Sequence, residues 1–265
     1  MPQLANKRCL IAGGTTGIGL AAAARFLQEG ARLVIAGRSE EKGVAACHKL
    51  AKIGPVHFVA CDVSQPEHVE SLFEQACDFL VGLDVVYHVA GISGRRFGDG
   101  PLHECTVTGW QATMAANLQS TFLTNRAAIQ HFLANEQPGV ILNMASVLAF
   151  SPSPHYFDTA AYAASKGGII AMSQLAAASY ATNKIRVNVI APGLIDTPMA
   201  ERAAHDEAIL HFLQSKQPLR QGPGLPEDCA GAAVFLCSDA ASFITGTVLP
   251  VDGGWCVSEG QAEED

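Results

Sequence analysis

The feature that most constrains this chain is an alternation of short, β-branched apolar runs with longer helical stretches, which begins at residue 8. The first run, Cys9 to Ala12, leads through a glycine-rich turn into a helix that Gly30 ends. Further strands are predicted at residues 33–36, 56–60, 83–89, 140–145, 185–190 and 247–251. Strands joined by helical crossovers form a parallel sheet covered on both faces. We therefore predict an α/β fold, a doubly wound, Rossmann-type parallel sheet of about seven strands with helices on both faces.

The predicted helices start at residues that commonly cap them. Ser39 and Ser64 are predicted as the N-caps of the second and third helices, with Pro66 in the first turn of the third. A long helix is predicted at about 108–134, and others at 160–180 and 226–237. The pattern indicates one domain over residues 1–258, with a substrate lid at about 194–222. An acidic tail at 259–265 is predicted to be disordered.

The composition indicates which kinds of partner the protein could bind and in which cell compartment we expect it. The formal net charge is −8, with no block of Lys or Arg, so nucleic acid and anionic membranes are not expected partners. No apolar run approaches the ~18 residues of a membrane span. The eight cysteines include no C-x-x-C pair, and no export signal precedes the first strand. We expect a reduced, cytoplasmic protein.

A glycine loop joins the first strand to the first helix. It runs Gly13-Gly14-Thr15-Thr16-Gly17-Ile18-Gly19, a G-x-x-x-G-x-G spacing rather than the more common G-x-G-x-x-G. Glycines let the backbone approach a pyrophosphate, which then lies on the helix N-terminus. A purely structural turn is the alternative, but the position after the first strand favours a nucleotide site.

Two other residues lie where a doubly wound sheet binds nucleotides, at the carboxyl ends of its strands. Asp62 ends the third strand and is predicted to contact adenine; alternatively, it only begins the next turn. Arg38 follows the second strand, where a carboxylate usually binds a free ribose 2′-hydroxyl. The stretch from Ala36 to Ser39 contains no acid, and the first one after the strand is Glu40. We therefore predict that NADP(H) is preferred and that NAD(H) is also possible. A solvated Arg38 is the alternative.

A tyrosine and a lysine are placed for acid–base chemistry on the helix at 160–180. Tyr162 and Lys166 are four residues apart and therefore lie on one helix face. A free tyrosine has a pKa of about 10, and a nearby cation lowers it. Tyr162 is therefore a candidate proton donor to a ketone and base for an alcohol.

Together with Ser146 after the fifth strand and Asn117 in the helix before it, these motifs resemble the short-chain dehydrogenase/reductase family, from about residue 7 to residue 254. The resemblance implies that Tyr162 transfers the proton while Lys166 holds the nicotinamide ribose and lowers the tyrosine pKa. It also implies that Ser146 binds the substrate oxygen and Asn117 orders a relay water. The further cofactor contacts that it implies are Val63, Ala90, Gly91, Pro192, Ile195 and Thr197.

The chain departs from the family pattern at three places. His88-Val89 replaces two asparagines after the fourth strand, and Ala12 replaces a common threonine. Ser146 also precedes Tyr162 by sixteen positions, about three more than the family pattern. The surplus falls in 151–157, a loop expected to border the substrate. We interpret His88 as a hydrogen-bonded core residue rather than a catalytic one.

These residues predict an NAD(P)-dependent oxidoreductase that transfers a hydride between the nicotinamide and a small carbonyl or secondary-alcohol substrate. The alternative is an inactive nucleotide-binding sensor or scaffold of the same fold, since fold alone does not define activity. A sugar-nucleotide epimerase with the same tyrosine and lysine is a third possibility, but such an enzyme usually needs a sizeable substrate domain after the sheet, and this chain lacks the length for one. No metal site is predicted, because His103 and Cys105 lack a closing pair of ligands. We also predict a homotetramer or homodimer, pairing through small residues of the 160–180 helix.

Overall fold

Seven parallel strands form the sheet at the centre of the computed structural model, which describes residues 2–259. Their spatial order is β3-β2-β1-β4-β5-β6-β7. The strands are β1 Arg8–Ala12, β2 Arg32–Gly37, β3 Val56–Ala60, β4 Val85–His88, β5 Gly139–Met144, β6 Ile185–Pro192 and β7 Val248–Val251. The predicted single-domain, doubly wound α/β fold is confirmed. The strand order reverses direction between β1 and β4, and this is where such sheets open a ligand crevice at their carboxyl ends.

Ten α-helices are present in residues 2–259. They are α1 Gly17–Gln28, α2 Glu40–Leu50, α3 Pro66–Leu80, α4 Val107–Met114, α5 Ser120–Ala134, α6 Pro154–Phe157, α7 Ala160–Tyr180, α8 Glu201–Ala204, α9 Glu207–Lys216 and α10 Pro226–Cys237. Helices α1, α2 and α10 cover one face of the sheet, and α3, α5 and α7 cover the other. None of these helices is both long and apolar enough to cross a bilayer.

The strands have buried side chains on both faces, as a sheet between two helical layers requires. In β1, Leu10 and Ala12 pack with the α3–α5–α7 layer. Cys9 and Ile11 alternate with them and pack with the α1–α2–α10 layer. All four are fully buried, which is why this segment is apolar at every position.

The long helix predicted at 108–134 is interrupted, and this corrects the sequence interpretation. Residues 115–119 form a π-helical turn between α4 and α5, with Asn117 buried inside it. A π-turn inserts one extra residue into a helix, and such turns are frequent at functional sites. Apolar periodicity does not reveal them, because the helix continues in nearly the same direction on either side.

The cap predictions have different outcomes. The Ser39 hydroxyl accepts a hydrogen bond from the Lys42 N–H and caps α2, as predicted. Ser64 does not cap α3, whose N-cap is Gln65. Instead, the Ser64 N–H and hydroxyl both donate to the Asp62 carboxylate, at 3.1 and 2.8 Å. A charged acceptor forms the stronger bond and holds Ser64 in the turn before the helix. Of the predicted tail 259–265, all but Glu259 lies outside the described residues.

Candidate active site

The glycine loop after β1 leaves no room for side chains between the backbones of two adjacent strands. Gly13 has a φ of 93°, and a Cβ there would lie 2.6 Å from the Ala90 nitrogen. A Cβ on Gly19 would overlap the Gly13 carbonyl oxygen. The loop and the start of α1 therefore offer bare backbone to a ligand, as a pyrophosphate site requires.

A cavity of about 640 Å³ opens at the carboxyl ends of β1 and β4. Every residue predicted to bind the cofactor lines it, as do three of the four predicted catalytic residues. These are Gly13, Thr15, Thr16, Gly17, Ile18, Gly19, Arg38, Asp62, Val63, Ala90, Gly91, Ser146, Tyr162, Lys166, Pro192, Ile195 and Thr197. Asn117 is the exception, because it lies behind the cavity wall.

The Lys166 ammonium is buried at the cavity wall with few partners. Its side chain is 4% exposed, and its Nζ donates to the Met144 carbonyl at 3.0 Å. An ammonium has three N–H donors, and this is the one hydrogen bond that the Lys166 ammonium forms within residues 2–259. Burial lowers the pKa of Lys166 from 10.5 to about 8. A buried cation with two free donors facing a cavity fits a ligand that carries hydroxyl groups.

Tyr162 is half-buried beside this lysine, and its pKa differs from the sequence expectation. The Lys166 Nζ lies 5.6 Å from the centre of the Tyr162 ring. Burial raises the pKa of Tyr162 above 10, and hydrogen bonding by Ser146 acts in the opposite direction. The expected lowering by Lys166 is absent, because desolvation of the phenol outweighs a cation that lies over the ring rather than beside the hydroxyl.

The Asn117 side chain holds the wall behind Lys166. Its Oδ1 accepts from the Ile92 N–H at 2.8 Å, and its Nδ2 donates to the Ile92 carbonyl and the Ser165 hydroxyl. A Cβ on Gly91 would meet both Asn117 Oδ1 and Lys166 Nζ, at 2.9 and 3.6 Å. Asn117 therefore ties the loop after β4 to the helix that carries Tyr162.

Asp99 helps to form the site, although no sequence pattern predicts it. Its carboxylate is 5% exposed and accepts from the N–H groups of Ala161 and Tyr162, each at 2.9 Å. These N–H groups lie in the first turn of α7 and have no partner within the helix, and the side chain of its own N-cap, Thr159, does not cap it. In the sequence, Asp99 is an isolated acidic residue in a glycine-rich loop about sixty residues before α7. No local pattern connects such a residue with a distant helix.

The two ends of the cavity differ in their side chains. At the end formed by β2 and β3, Arg38 and Lys42 line it together, and Asp62 is the acidic residue. The sequence pattern predicts Arg38 at this end of the cavity but not Lys42. Because the Asp62 carboxylate accepts two bonds from Ser64, it also fulfils the alternative interpretation, that of a turn-forming residue.

The opposite end is built from the 151–157 loop, α9 and the chain near its described C-terminus. Phe157, Phe212 and Trp255 pack edge to face, with centroids 5.6–5.7 Å apart. The Trp255 indole also donates to the Ser151 carbonyl at 3.2 Å. The predicted loop contains the short helix α6, so it is a packed wall rather than an open segment.

Gln217 joins the two ends of the segment predicted to be a lid. Its Oε1 accepts from the Leu194 N–H at 2.6 Å, and its Nε2 donates to the Leu194 and Gly222 carbonyls. Gln217 is 2% exposed, so these bonds are shielded from water. The segment 194–222 is thus closed into a loop by one buried amide, which its sequence did not reveal.

A family model described as enoyl-(acyl carrier protein) reductase matches residues 12–256, nearly the whole chain and the entire cavity. The chain belongs to the short-chain dehydrogenase/reductase family. A 3beta-hydroxysteroid dehydrogenase from Eggerthella lenta is 38% identical over 262 residues, which is 97% of either chain. A glucose 1-dehydrogenase from Gluconobacter oxydans is 35% identical over 95% of this chain and 92% of that enzyme. A solved short-chain dehydrogenase/reductase from Mycobacterium ulcerans superposes with a TM-score of 0.89 at 28% identity, over 97% of this chain and 92% of that one.

As a short-chain dehydrogenase/reductase, the protein is an oxidoreductase of a family that uses NAD(H) or NADP(H) with small-molecule substrates. The cavity fits a dinucleotide on three observations: the glycine backbone at one point, the two free Lys166 donors at another, and Arg38 with Lys42 at the far end. Within residues 2–259, no three His, Cys, Asp or Glu side chains are grouped to hold a metal ion. Cys105 instead donates to Asp99 at 3.6 Å.

The histidine that departs from the family pattern is a core residue, as interpreted. His88 is 1% exposed, with Nδ1 2.8 Å from the Thr124 hydroxyl and Nε2 3.2 Å from that of Ser120. Burial, reinforced by the charge of Lys166, lowers the pKa of His88 from 6.5 to about 3. The neutral imidazole is hydrogen-bonded on both nitrogens and holds β4 against α5. It occupies the position at which the family usually has an asparagine.

Proposed function

We propose that the protein transfers a hydride reversibly between a nicotinamide cofactor and a carbonyl or secondary-alcohol substrate, with Tyr162 as the general acid and base. The observation that carries the proposal is the buried Lys166 ammonium, which has one protein partner and lies against the Tyr162 ring at the cavity wall. A sensor or scaffold has no chemical need for a buried cation beside a phenol.

In the direction of reduction, Tyr162 donates its phenolic proton to the substrate oxygen as the carbonyl carbon receives the hydride. In oxidation, the phenolate accepts the hydroxyl proton as the hydride leaves the carbon. A bound nicotinamide ring supplies or accepts that hydride. The Ser146 hydroxyl donates to the substrate oxygen and holds it against Tyr162. Ser146 is nearly buried and takes the N–H of Leu148 as a donor, which fixes its orientation.

Lys166 and Asn117 support the proton transfer from behind the tyrosine. The two free donors of Lys166 would hold the ribose hydroxyls of the cofactor, and the hydrogen bond from Ser146 favours the phenolate of Tyr162. Asn117 acts chiefly as a positioning residue, because its amide binds Ile92 and Ser165. Its Oδ1 retains one lone pair for the relay water that the family resemblance implies.

NADP(H) is the preferred cofactor in this proposal, and NAD(H) remains a substitute. Arg38 and Lys42 bring two positive charges to the end of the cavity beside Thr15 and Thr16, and the carboxylate at that end, Asp62, is engaged by Ser64. A 2′-phosphate makes charge-assisted bonds with such groups, whereas a free 2′-hydroxyl gains little from them.

The protein acts in the cytoplasm as a homotetramer or homodimer, paired through α7. Ala164, Gly167 and Ala171 lie along one outer stripe of this helix, which continues to Leu175, 69% exposed. Ala161 and Gly168 belong to the inner face, since Gly168 packs on Leu118. Segment 194–222, closed by Gln217, serves as the substrate lid.

The test is a screen of ketones and secondary alcohols with each cofactor, followed by nicotinamide absorbance, on the wild type and Tyr162→Phe. The proposal expects turnover of at least one carbonyl–alcohol pair that the variant loses. Tight cofactor binding by calorimetry, with no turnover of any ketone or alcohol in either protein, would favour the sensor alternative.

A further inference from the structure

Three arginines gather at the substrate end of the cavity, although the chain as a whole carries a net charge of −8. Arg95 and Arg96 come from the loop after β4, and Arg202 comes from α8 in the segment 194–222. All three line the cavity. Two separate parts of the chain therefore bring positive charges to one wall of the cavity.

The described part of the chain supplies no carboxylate partner for these groups. Within residues 2–259, none of the three arginines lies within 4.0 Å of an Asp or Glu oxygen. Asp99 and Asp158 act on Arg95 from a distance, but neither lines the cavity. Asp99 is bonded to the N–H groups of α7, and Asp158 borders a separate small hollow behind the 151–157 loop.

All three arginine side chains reach solvent, and two of them also have a contact that restricts them. The Arg95 guanidinium donates to the Tyr156 carbonyl at 3.3 Å, which anchors it to the wall of the 151–157 loop. Arg96 stacks over the Phe97 ring at 5.2 Å. Arg95 and Arg202 line the same cavity from two different segments. Burial lowers the pKa of Arg95, and the charge of Arg202 acts in the same direction.

We infer that the substrate carries an acidic oxygen group, a carboxylate or a phosphate, several bonds from its reacting carbon, and that Arg95 and Arg202 bind this group. The inference rests on the proposed function, since Tyr162 defines the reacting end. Guanidinium groups bind carboxylate and phosphate oxygens through paired charge-assisted hydrogen bonds. An anion between Arg95 and Arg202 would relieve their repulsion and join the loop after β4 to the segment 194–222.

Equilibrium binding tests the inference without relying on turnover. The probes are the (ω−1)-keto acids 4-oxopentanoate, 6-oxoheptanoate and 8-oxononanoate, and their methyl esters. Ketophosphonates of the same lengths and their dimethyl esters form the second series. Calorimetry on the full chain measures each dissociation constant, and reduction with NADPH is followed in parallel. We expect at least one acid to bind about tenfold or more tightly than its ester, because a hydrogen bond to a charged group contributes roughly that factor. Tighter binding of the carboxylates or of the phosphonates then shows which of the two acidic groups the arginines bind.

Variants assign the preference to these side chains. Arg95→Gln and Arg202→Gln should each reduce the acid-to-ester affinity ratio by about fivefold or more, and Arg202→Lys should restore part of it. Taking the ratio within one variant cancels any general effect on the cavity. Lys49→Gln, which removes a positive charge from the exposed face of α2, is the matched control and should leave the ratio unchanged.

Two results would overturn the inference. One is equal affinity for acids and esters in every pair, even where the ketones are reduced; the proposed function would then stand without the anion subsite. The other is an unchanged acid-to-ester ratio in both glutamine variants together with weakened NADPH binding, which would assign the arginines to the cofactor. Conversely, acids that bind in an Arg202-dependent way but are never reduced would support the subsite and contradict the proposed function.

Discussion

The carboxylate of Asp99 accepts a 2.9 Å hydrogen bond from the backbone N–H of Tyr162. Its other oxygen accepts from Ala161, and the neighbouring Gly100 carbonyl accepts from the Ala160 N–H. The first turn of α7 is thus capped by a loop sixty residues upstream rather than by its own N-cap. A negative charge at a helix N-terminus is also favourable electrostatically. Asp99 therefore fixes where the helix that carries Tyr162 begins.

Asp99→Ala is expected to lower the free energy of unfolding by about 1–2 kcal/mol, the usual effect of losing a helix cap. We also expect kcat to fall by about tenfold or more, because small displacements of a reacting group are costly. The control is Ser238→Ala, which removes a cap away from the cavity, the bond from the Ala240 N–H to the serine hydroxyl. Urea denaturation and steady-state kinetics on both variants separate the effects. Equal activity losses in the two would show that Asp99 acts through stability alone.

Tyr162→Phe should reduce turnover by about 10²–10⁴-fold, since it removes the proton donor and leaves the ring packing intact. Cofactor affinity should change little, because the Lys166 donors that face the cavity remain. Tyr156→Phe is the control: this second phenol packs against Phe212 and does not line the main cavity, so activity should persist. More than a tenth of wild-type turnover in Tyr162→Phe would remove Tyr162 from the proton-transfer step.

Arg38→Ala is expected to weaken NADPH binding by roughly tenfold and to leave NADH binding nearly unchanged, because one charge-assisted hydrogen bond is lost. Fluorescence titration with each reduced cofactor measures both constants. Arg32→Ala provides the comparison, since Arg32 lies at the opposite end of β2 and bonds to the Phe79 carbonyl outside the cavity. If Arg38→Ala weakened both cofactors equally, Arg38 would not recognise the 2′-phosphate.

His88 is expected to make the fold acid-sensitive. Its pKa of about 3 in the folded protein lies below that of an unfolded histidine, about 6.5, so protons bind preferentially to the unfolded chain between these values. Stability from this group is present above pH 6.5 and is lost as the pH falls towards 3. Between pH 6.5 and 4.5 the loss should be about 2–3 kcal/mol.

Chemical denaturation of wild type and His88→Asn at these two pH values measures the effect. The variant carries the family's residue and should lose distinctly less stability in acid, even if its stability at neutral pH is lower. His57→Asn, at an exposed position on β3, gives the contribution of a histidine outside the core. An acid loss in His88→Asn as large as in the wild type would contradict the assignment.

Much of the architecture could be predicted because its causes are local. Residues 9–12 are apolar at every position because both faces of β1 are covered, and Gly13 and Gly30 mark points where the backbone needs a positive φ. The pairing of Tyr162 with Lys166 follows from the helical repeat alone. The cavity-lining residues followed from strand ends, since a parallel sheet gathers its carboxyl ends on one edge.

What the tertiary structure decided depends on residues far apart in the chain. The bonds from Asp99 to α7 and from Gln217 to Leu194 join segments that are distant in the chain. Arg95 and Arg202 likewise come from separate segments to line one cavity. The pKa of Tyr162 also reversed its expected direction, because desolvation depends on everything packed around the phenol. Sequence spacing determines which side chains share a face within one element. Burial and long-range contacts are set only when the elements pack, and they decide how those side chains ionise and what holds them in place.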